Sequence, residues 1–350
     1  MVRLKKLDNK VQWEEICKKY GSIFHSLDWI NIIEEVFNVE TVLLGIFEDQ
    51  ELIGIFPLYK SKKVFNLLMS PLHGSATPFS GPILKDSKNR FVKCSEIIRE
   101  LNEFIKNGEI DFTQIQFGPP LSYSEYESQT KLKYDSVYKF GFDVEDRYTI
   151  ILDLDRRKEA LWNDLDKNCR TAVRKARKNN VVVSEPVFEE VLDEYYGMAK
   201  DVYARWHQPP GILKKMYLKV YEKFKPKNQI KILSAQYKGN MVAGAIFLLY
   251  RDIVYFWDGV SYSNFYNVAP NNIIQWQLVE WACEHNFKIC DMVGAGIPGV
   301  GQFKLSFGGK IISQLQLRKY SSLSVKIAAK TYEKVFPVYR RWRYRLEKFR

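Results

Sequence analysis

Two segments of the chain alternate hydrophobic and polar residues with a period of two, and a short polar turn interrupts each of them. Such alternation predicts half-buried strands, so both segments are expected to form β-hairpins. Apolar residues spaced three and four apart predict helices, several of which end at glycine. In the first half these patterns predict helices around 13–20 and 27–37, a hairpin of Thr41–Phe47 and Leu52–Tyr59, a helix at Phe91–Lys106 and a strand at Phe112–Phe117.

The second half repeats this order of elements. Residues Ile232–Leu249 can be laid on Val42–Tyr59 without a gap, which matches the polar turns and places Gly244 on Gly54. Each hairpin is followed by a helix, Asn271–His285 in the second half, and then by a strand that ends in glycine. Self-similarity of this kind predicts a duplicated unit. We therefore expect an N-terminal domain at 1–147, a C-terminal domain at 148–323 and a basic tail at 324–350.

Composition and charge indicate a globular protein with anionic partners. Hydrophobic residues make up 46% of the 350 residues, yet no apolar run approaches the roughly 20 residues that cross a bilayer, and no signal-peptide pattern is present. The net charge of +12 favours nucleic acid, phosphorylated cofactors or an acidic membrane surface. Five cysteines without CxxC spacing indicate reduced thiols and a cytoplasmic protein. No metal site is expected, because Cys283 and His285 point in different directions on a predicted helix.

The stretch Cys290–Gly309 is the strongest candidate for chemistry. It leaves a predicted strand at Phe287–Val293 and crosses a loop in which Gly294 and Gly296 let backbone come close to a ligand. Lys304 follows, placed between two phenylalanines, where a partly desolvated ammonium can hold a phosphate or a developing oxyanion. The literal GxGxxG match at 294–299 does not predict a dinucleotide site, because Pro298 interrupts it and neither a long helix nor a suitably spaced acidic residue follows.

Two further places carry polar and aromatic side chains suited to a substrate. In the predicted strand Ile253–Gly259, Asp258 shares a face with Val254 and Phe256 and can orient an amine nucleophile or accept its proton; a simple turn with Gly259 explains it equally well. Tyr203 and Trp206 end a helix in a loop of hydrogen-bonding residues. They are candidates for substrate contact, with a purely structural role as the alternative.

Two basic helices are also predicted. One long helix over Arg156–Asn179 places Arg170, Arg174 and Arg177 in a row that can grip phosphates, although a solvated basic face is the equal alternative. The tail 324–350 is amphipathic, and we expect it to be kinked or broken at Pro337. Its basic residues suit anionic lipid headgroups and RNA alike.

Four motifs together resemble the Fem-type branch of the GNAT acyltransferase superfamily: LWNDLDKNCRTAVRKARKNNVVV, YFWDGVS, APNNIIQWQLVEWACEHN and DMVGAG…GVGQFKLSFGG. The resemblance implies an α/β (α+β) fold of two tandem GNAT-like domains, each a mixed, mainly antiparallel sheet flanked by helices. It implies that the C-terminal domain handles the acyl donor. The phenylalanine-lysine pair of these enzymes falls on Phe303 and Lys304, which with Asp258 form the predicted catalytic set. The predicted substrate-binding residues are Arg170, Arg174, Tyr203, Trp206, Trp257, Asn271, Gly294 and Gly296.

What the resemblance implies is an N-acyltransferase without a tightly bound cofactor. Its co-substrate is either acyl-CoA or aminoacyl-tRNA, because the chain has neither the long coiled-coil arm of the staphylococcal Fem proteins nor the usual glycine loop for the CoA pyrophosphate. The acceptor is a small-molecule or lipid-linked amine on a cell-envelope, peptidoglycan-like or glycan precursor. Peripheral contact with the inner face of an anionic membrane is expected through 324–350. The alternative is a noncatalytic RNA- or membrane-binding protein on a degenerate GNAT scaffold.

Overall fold

The structure is a computed structural model of the chain, and it describes residues 1–62, 64–85, 90–119, 135–205 and 207–348. These form two compact units. The first comprises Met1–Tyr148 and Ile312–Tyr332, and the second comprises Thr149–Ile311 and the chain from Glu333 onward. The first unit thus includes most of the strand Lys310–Tyr320, although this strand follows the second unit in the sequence. The domain boundaries expected at 147 and 323 stay predictions.

The first unit contains one mixed sheet. Its strands are β1 (Val2–Lys6), β2 (Glu40–Glu48), β3 (Glu51–Lys62), β4 (Asn66–Ser70), β5 (Ile83–Leu84), β6 (Phe112–Gln116) and β13 (Lys310–Tyr320), and its helices are α1 (Lys10–Tyr20), α2 (Leu27–Phe37), α3 (Arg90–Asn107) and α4 (Asp135–Lys139). The sheet order is β1-β2-β3-β4-β6-β13, with β5 paired to β3. All neighbours are antiparallel except β4 and β6, which the helix α3 connects in parallel.

The second unit contains a sheet of the same plan. Its strands are β7 (Asp143–Asp153), β8 (Val182–Ser184), β9 (Ile230–Tyr237), β10 (Asn240–Tyr250), β11 (Ile253–Ser261) and β12 (Ile289–Asp291), and its helices are α5 (Lys158–Asp164), α6 (Lys167–Lys178), α7 (Phe188–Ala204), α8 (Lys214–Phe224), α9 (Pro270–Glu284) and α10 (Pro298–Leu305). The order is β8-β9-β10-β11-β12-β7. Only β11 and β12 are parallel, and α9 connects them.

From β1 in the first unit and from β8 in the second, the chain runs through an edge strand, two helices, a three-strand meander, a connecting helix and a strand parallel to the last strand of the meander. In the second unit β7, α5 and α6 precede this run. The aligned hairpins are β2-β3 and β9-β10, as the repeat in the sequence predicted. Each unit also has a hydrophobic core of its own, in which the connecting helix packs on its sheet; α3 contributes Ile97 and Leu101, and α9 contributes Ile273 and Trp276. The predicted mixed, mainly antiparallel sheets flanked by helices are confirmed.

The single helix expected over 156–179 is wrong, because α5 and α6 are separate. Leu165 and Asp166 between them have extended backbone, with ψ of 141° and 147°. The N–H of Asp166 donates to the carbonyl oxygen of Ser306 at 2.9 Å. A Cβ at Gly308 would come within 2.9 Å of Asp164, so the chain after α10 lies close against this corner. The break thus depends on a distant segment, while the expected apolar stripe of both helices is largely buried.

The basic tail forms one helix. Helix α11 (Leu323–Lys348) continues through Pro337, so the expected break is wrong and the kink stays a prediction. Proline removes one helical hydrogen bond and bends a helix, but these losses do not always end it. None of the helices within the described residues is long and apolar enough to span a membrane.

Candidate active site

The candidate site lies where the two parallel strands of the second unit separate. Strands β11 and β12 pair only over Ile253–Tyr255 and Ile289–Asp291. Strand β12 then ends, whereas β11 continues to Ser261. Beyond Tyr255, β11 therefore presents backbone groups that β12 does not pair. Because ligands of α/β sheets bind at the carboxyl ends of strands that part from one another, this opening is a natural place for a substrate.

The chain leaves β12 through a left-handed turn that leads to α10. Val293 and Gly294 have φ values of +50° and +69°. Lys304 lies in the last turn of α10 and is 7% exposed. Its Nζ donates to the carbonyl oxygen of Val293 and, at 3.0 Å, to that of Gly294. The ammonium also lies 5.4 Å from the ring centroid of Phe256. Burial lowers the pKa of Lys304 to about 8.

The negative charges of two carboxylates favour the protonated form of Lys304. The charges of Asp291 and then Asp258 oppose the effect of burial on the pKa of Lys304. Burial raises the pKa of Asp291 to about 6 and raises that of Asp258. Asp258 Oδ2 accepts hydrogen bonds from the hydroxyls of Tyr195 and Tyr217, each at 2.8 Å, and both bonds oppose that rise. The site thus combines one buried cation with two carboxylates whose pKa values are raised.

A β-bulge determines how Trp257 and Asp258 are presented. Asp258 stands opposite Ile246 in β10, and Phe256 stands opposite Phe247, so Trp257 is the extra residue. The alternation behind the expected shared face of Val254, Phe256 and Asp258 is therefore interrupted. Trp257 packs edge-on against Tyr217, with ring centroids 5.7 Å apart, and Asp258 reaches the hydroxyl of the same tyrosine.

The glycines after β12 fall into two groups. Side chains at Gly294, Gly296 and Gly299 would meet no atom within 4 Å, so these positions border open space. By contrast, a Cβ at Gly309 would come within 2.5 Å of Ile150 Cγ2, and one at Gly301 within 3.0 Å of a backbone oxygen. The second group serves close packing. The first keeps side chains away from the surface beside Lys304.

The other predicted residues of the second unit lie in varied settings. Phe303 is half-buried, with its ring 5.3 Å from that of Phe307 in an edge-on contact. Asn271, in the first turn of α9, donates from Nδ2 to Ser261 Oγ at 2.8 Å, at the end of the unpaired part of β11. The hydroxyl of Tyr203 lies against Gly211. Trp206 lies outside the described residues.

The three arginines in the basic row on α6, Arg170, Arg174 and Arg177, each make a different kind of contact. Arg170 donates from its guanidinium to the carbonyl oxygens of Asn163 and Leu165, and thereby ties the two sides of the α5-α6 corner. Arg177 forms an ion pair with Glu280 at 3.3 Å. Arg174 is exposed and stacks over the ring of Trp162 at 5.4 Å. Of the three, Arg174 alone forms no hydrogen bond or ion pair with a described residue, and the phosphate role of Arg170 stays a prediction.

The sequence reasoning missed several residues of this site. Asp291, Thr149, Phe256, Tyr195 and Tyr217 were not singled out for it. The signal for Asp291 was visible, because an acidic residue stands directly at the end of an apolar strand and before a glycine loop. The tyrosines carried no such signal, since they come from α7 and α8 and meet Asp258 only in the fold. No group of three metal-ligating side chains occurs among the residues that the structure describes.

Comparisons with known proteins show what this chain resembles. Residues 164–304, which include Lys304, match the family model described as an acetyltransferase (GNAT) domain. None of the curated proteins matches the sequence. Among solved structures, FemX superposes with a TM-score of 0.66 at 13% identity, covering 90% of this chain and 96% of FemX.

Two further structures have the same fold. L-PGS from Bacillus licheniformis superposes with a TM-score of 0.54 at 12% identity, covering 91% of this chain and 94% of its own. A tandem GNAT protein from the clavulanic acid biosynthesis pathway gives 0.54 at 8% identity, covering 92% and 99%. The predicted resemblance is confirmed: the chain has the fold of tandem GNAT proteins and of FemX, and residues 164–304 of its second unit match the GNAT domain model.

Proposed function

We propose that this tandem GNAT protein is an N-acyltransferase whose chemistry takes place where β11 and β12 separate. The observation that supports the proposal is the buried ammonium of Lys304, which binds the carbonyl oxygen of Gly294 at the edge of open space and interacts with the charge of Asp258. An acceptor amine attacks the acyl carbonyl carbon, a C–N bond forms, and the C–S bond of a thioester or the C–O bond of an ester breaks. The leaving thiol or hydroxyl takes up the proton that the amine loses.

Lys304 is the group that stabilises the negative charge on the carbonyl oxygen. An ammonium has three N–H donors. Two of them go to the carbonyl oxygens of Val293 and Gly294. The two bonds fix the direction of the third N–H, which donates a hydrogen bond to the oxyanion. Removing one such donor costs roughly 10²–10³ in rate in other acyl-transfer enzymes.

Asp258 orients the acceptor amine and takes its proton on the way to the leaving group. The raised pKa of Asp258 suits this role, because a base works best when its pKa lies nearer to the working pH. Trp257 and Tyr203 contact the substrate, as does Trp206 outside the described residues, and Phe303 directly precedes the lysine on α10. Asn271 lies at the end of β11, where the donor passes.

The donor is acyl-CoA or aminoacyl-tRNA, and no cofactor is tightly bound. Both donors carry phosphates, which suits the net charge of +12 and the exposed guanidinium of Arg174. The acceptor is a small or lipid-linked amine on an envelope, peptidoglycan-like or glycan precursor, by analogy with FemX and L-PGS. That part of the proposal rests on similarity of fold.

The test is a transfer assay with Lys304→Met beside Lys288→Met, which removes an exposed lysine at the surface. Purified protein is incubated with acetyl-CoA or a charged tRNA mixture and an amine panel, and the acylated amine is measured by mass spectrometry. We expect Lys304→Met to lose roughly 10²–10³ in rate with an unchanged fold, and Lys288→Met to keep full rate. Equal rates in both variants would remove Lys304 from the mechanism. Ligand-induced rises in melting temperature identify the donor.

We further propose that helix α11 contacts an anionic membrane surface on the cytoplasmic side. It carries eight lysines and arginines against two glutamates. Six apolar or aromatic side chains on it are between 47% and 59% exposed: Ile327, Tyr332, Val335, Val338, Tyr339 and Trp342. Exposed lysines and an arginine, Lys330, Lys334 and Arg341, flank them. Aromatic residues beside cations suit the headgroup region, whereas RNA alone would not require the aliphatic side chains.

Vesicle sedimentation tests this contact with the full chain. Phosphatidylcholine vesicles with phosphatidylglycerol should bind the protein, and the triple variant Val335→Ser, Tyr339→Ser, Trp342→Ser should not bind. Val182→Ser with Val187→Ser removes exposed valines elsewhere and should bind as the wild type does. Binding to single-stranded RNA that survives the triple variant, with no binding to vesicles, would contradict the membrane proposal. A chain that binds vesicles but transfers no acyl group would support the noncatalytic alternative.

A further inference from the structure

Asp291 is a buried carboxylate that takes no part in the proposed transfer step. It ends β12 and is 1% exposed. Its Oδ1 accepts the hydroxyl of Thr149 and, at 2.8 Å, the N–H of Val293. Its Oδ2 is buried and has no hydrogen-bond partner among the residues that the structure describes. An incompletely paired buried carboxylate opposes folding, so its presence calls for a functional reason.

The residue that Asp291 holds is itself strained. Val293 has a φ of +50°, a left-handed conformation that is unusual for a β-branched residue. The N–H of Val293 donates a hydrogen bond to Asp291, and the carbonyl oxygen of Val293 accepts one from Lys304. The same ammonium also binds the next carbonyl oxygen, that of Gly294. Asp291 and Lys304 thus bind the two ends of one turn, Asp291 at the N–H of Val293 and Lys304 at the carbonyl oxygens of Val293 and Gly294.

The two groups are also coupled by charge. Among the neighbours that favour the charged form of Lys304, Asp291 has the largest effect, followed by Asp258 on β11 and Cys290 on β12. The Cys290 thiol stays neutral, because burial raises its pKa far above its usual value. Thr149 on β7 brings a hydrogen bond without a charge. The charge that balances the ammonium therefore comes chiefly from Asp291.

We propose that Asp291 is the positioning residue of this site, which holds Lys304 in place through the Val293 turn and keeps it protonated through its own negative charge. The inference rests on the proposed function of Lys304. Asp291 ionises above a pKa of about 6, and Lys304 keeps its proton below a pKa of about 8. Transfer should therefore be fastest between these values and fall on both sides.

Asp291→Asn separates charge from geometry. Its amide oxygen can still accept the N–H of Val293 and the hydroxyl of Thr149, but the negative charge is gone. Lys304 should then lose its proton at a pH lower by roughly 1–3 units, the usual effect of one nearby opposite charge. The alkaline limb of the rate profile should move down by the same amount, whereas an acid limb remains because the base Asp258 still titrates. A merely structural role would lower the rate without moving either limb.

The deciding measurement follows Lys304 itself and needs no activity. Protein labelled with [ε-¹³C]lysine is titrated by NMR, and the Lys304 resonance is assigned by its absence in Lys304→Met. Its midpoint should fall in Asp291→Asn and stay unchanged in Asp155→Asn, which removes an exposed carboxylate that pairs with Lys288. Asp291→Ser, which also keeps an acceptor oxygen, gives a second variant if the first does not fold.

An unchanged Lys304 midpoint in a folded Asp291 variant would overturn the inference. If the midpoint falls but no transfer is detected with any donor, the proposed function fails while the coupling stands. If transfer depends on Lys304 but the midpoint does not move, the function stands and Asp291 has no such part.

Discussion

Lys304→Met should change how the stability of the protein depends on pH. Methionine keeps an unbranched apolar stem but cannot carry charge. In the wild type, burial lowers the pKa of Lys304 from 10.5 to about 8. At about 1.4 kcal/mol for each pH unit, this difference means that burying the charged form costs the folded state about 3 kcal/mol.

The sign of the effect follows from the proton balance. Below pH 8 both folded and unfolded chains hold the proton, so the full cost is present. Between pH 8 and 10.5 the unfolded chain binds more protons than the folded one, and the free energy of unfolding rises with pH. Above 10.5 the cost has gone. Asp291 stays ionised in the wild type over this range, so it adds no slope of its own.

Urea titrations followed by tryptophan fluorescence at pH 7, 8, 9 and 10 measure this difference. Relative to Lys304→Met, the wild type should gain about 2.5 kcal/mol across that range, with most of the gain above pH 8. Subtracting the variant cancels the contributions of titrating groups that do not interact with Lys304. Lys288→Met, whose side chain is exposed, should run parallel to the wild type. Parallel curves for Lys304→Met as well would refute the buried-ammonium reasoning on which the site is built.

Substitutions elsewhere in the second unit should separate residues that hold the fold from residues that bind the donor. Arg170→Gln should lower the unfolding free energy by about 1–3 kcal/mol, because two backbone carbonyls lose a charged donor. Arg174→Gln should leave stability unchanged but weaken donor affinity in calorimetry. Gly309→Ala should cost about 1–3 kcal/mol through overpacking, whereas Gly296→Ala should leave the melting temperature unchanged.

The elements that could be predicted from the sequence are those specified by neighbouring residues. The hairpins β2-β3 and β9-β10 have alternating strands and two-residue polar turns, so the pattern and the structure coincide. Helix α1 ends at Gly21 as expected, and Ser26 caps α2 by accepting the N–H of Trp29 at 3.2 Å. Each of these signals lies within a few residues of the feature that it predicts.

The features that could not be predicted depend on distant contacts. The corner between α5 and α6 rests on the carbonyl oxygen of Ser306, about 140 residues away in sequence. The bulge at Trp257 depends on the register with β10. The hydrogen bond between Thr149 and Asp291 joins β7 to β12, two strands that lie far apart in the sequence. Lys304 was found because a lysine between phenylalanines is a local pattern, whereas its carboxylate partners required the fold.

The position of these unfavourable features argues that the site is functional. A left-handed Val293 costs about 1–3 kcal/mol, and a buried ammonium costs a similar amount. Leucine or methionine at 304 and glycine at 293 would relieve both without a change of fold. Both features nevertheless occur within a few ångströms of each other, at the end of the only parallel pair described in the second unit. Strain that persists where simple substitutions would remove it is typical of an active site, since stability alone gives no reason to keep it.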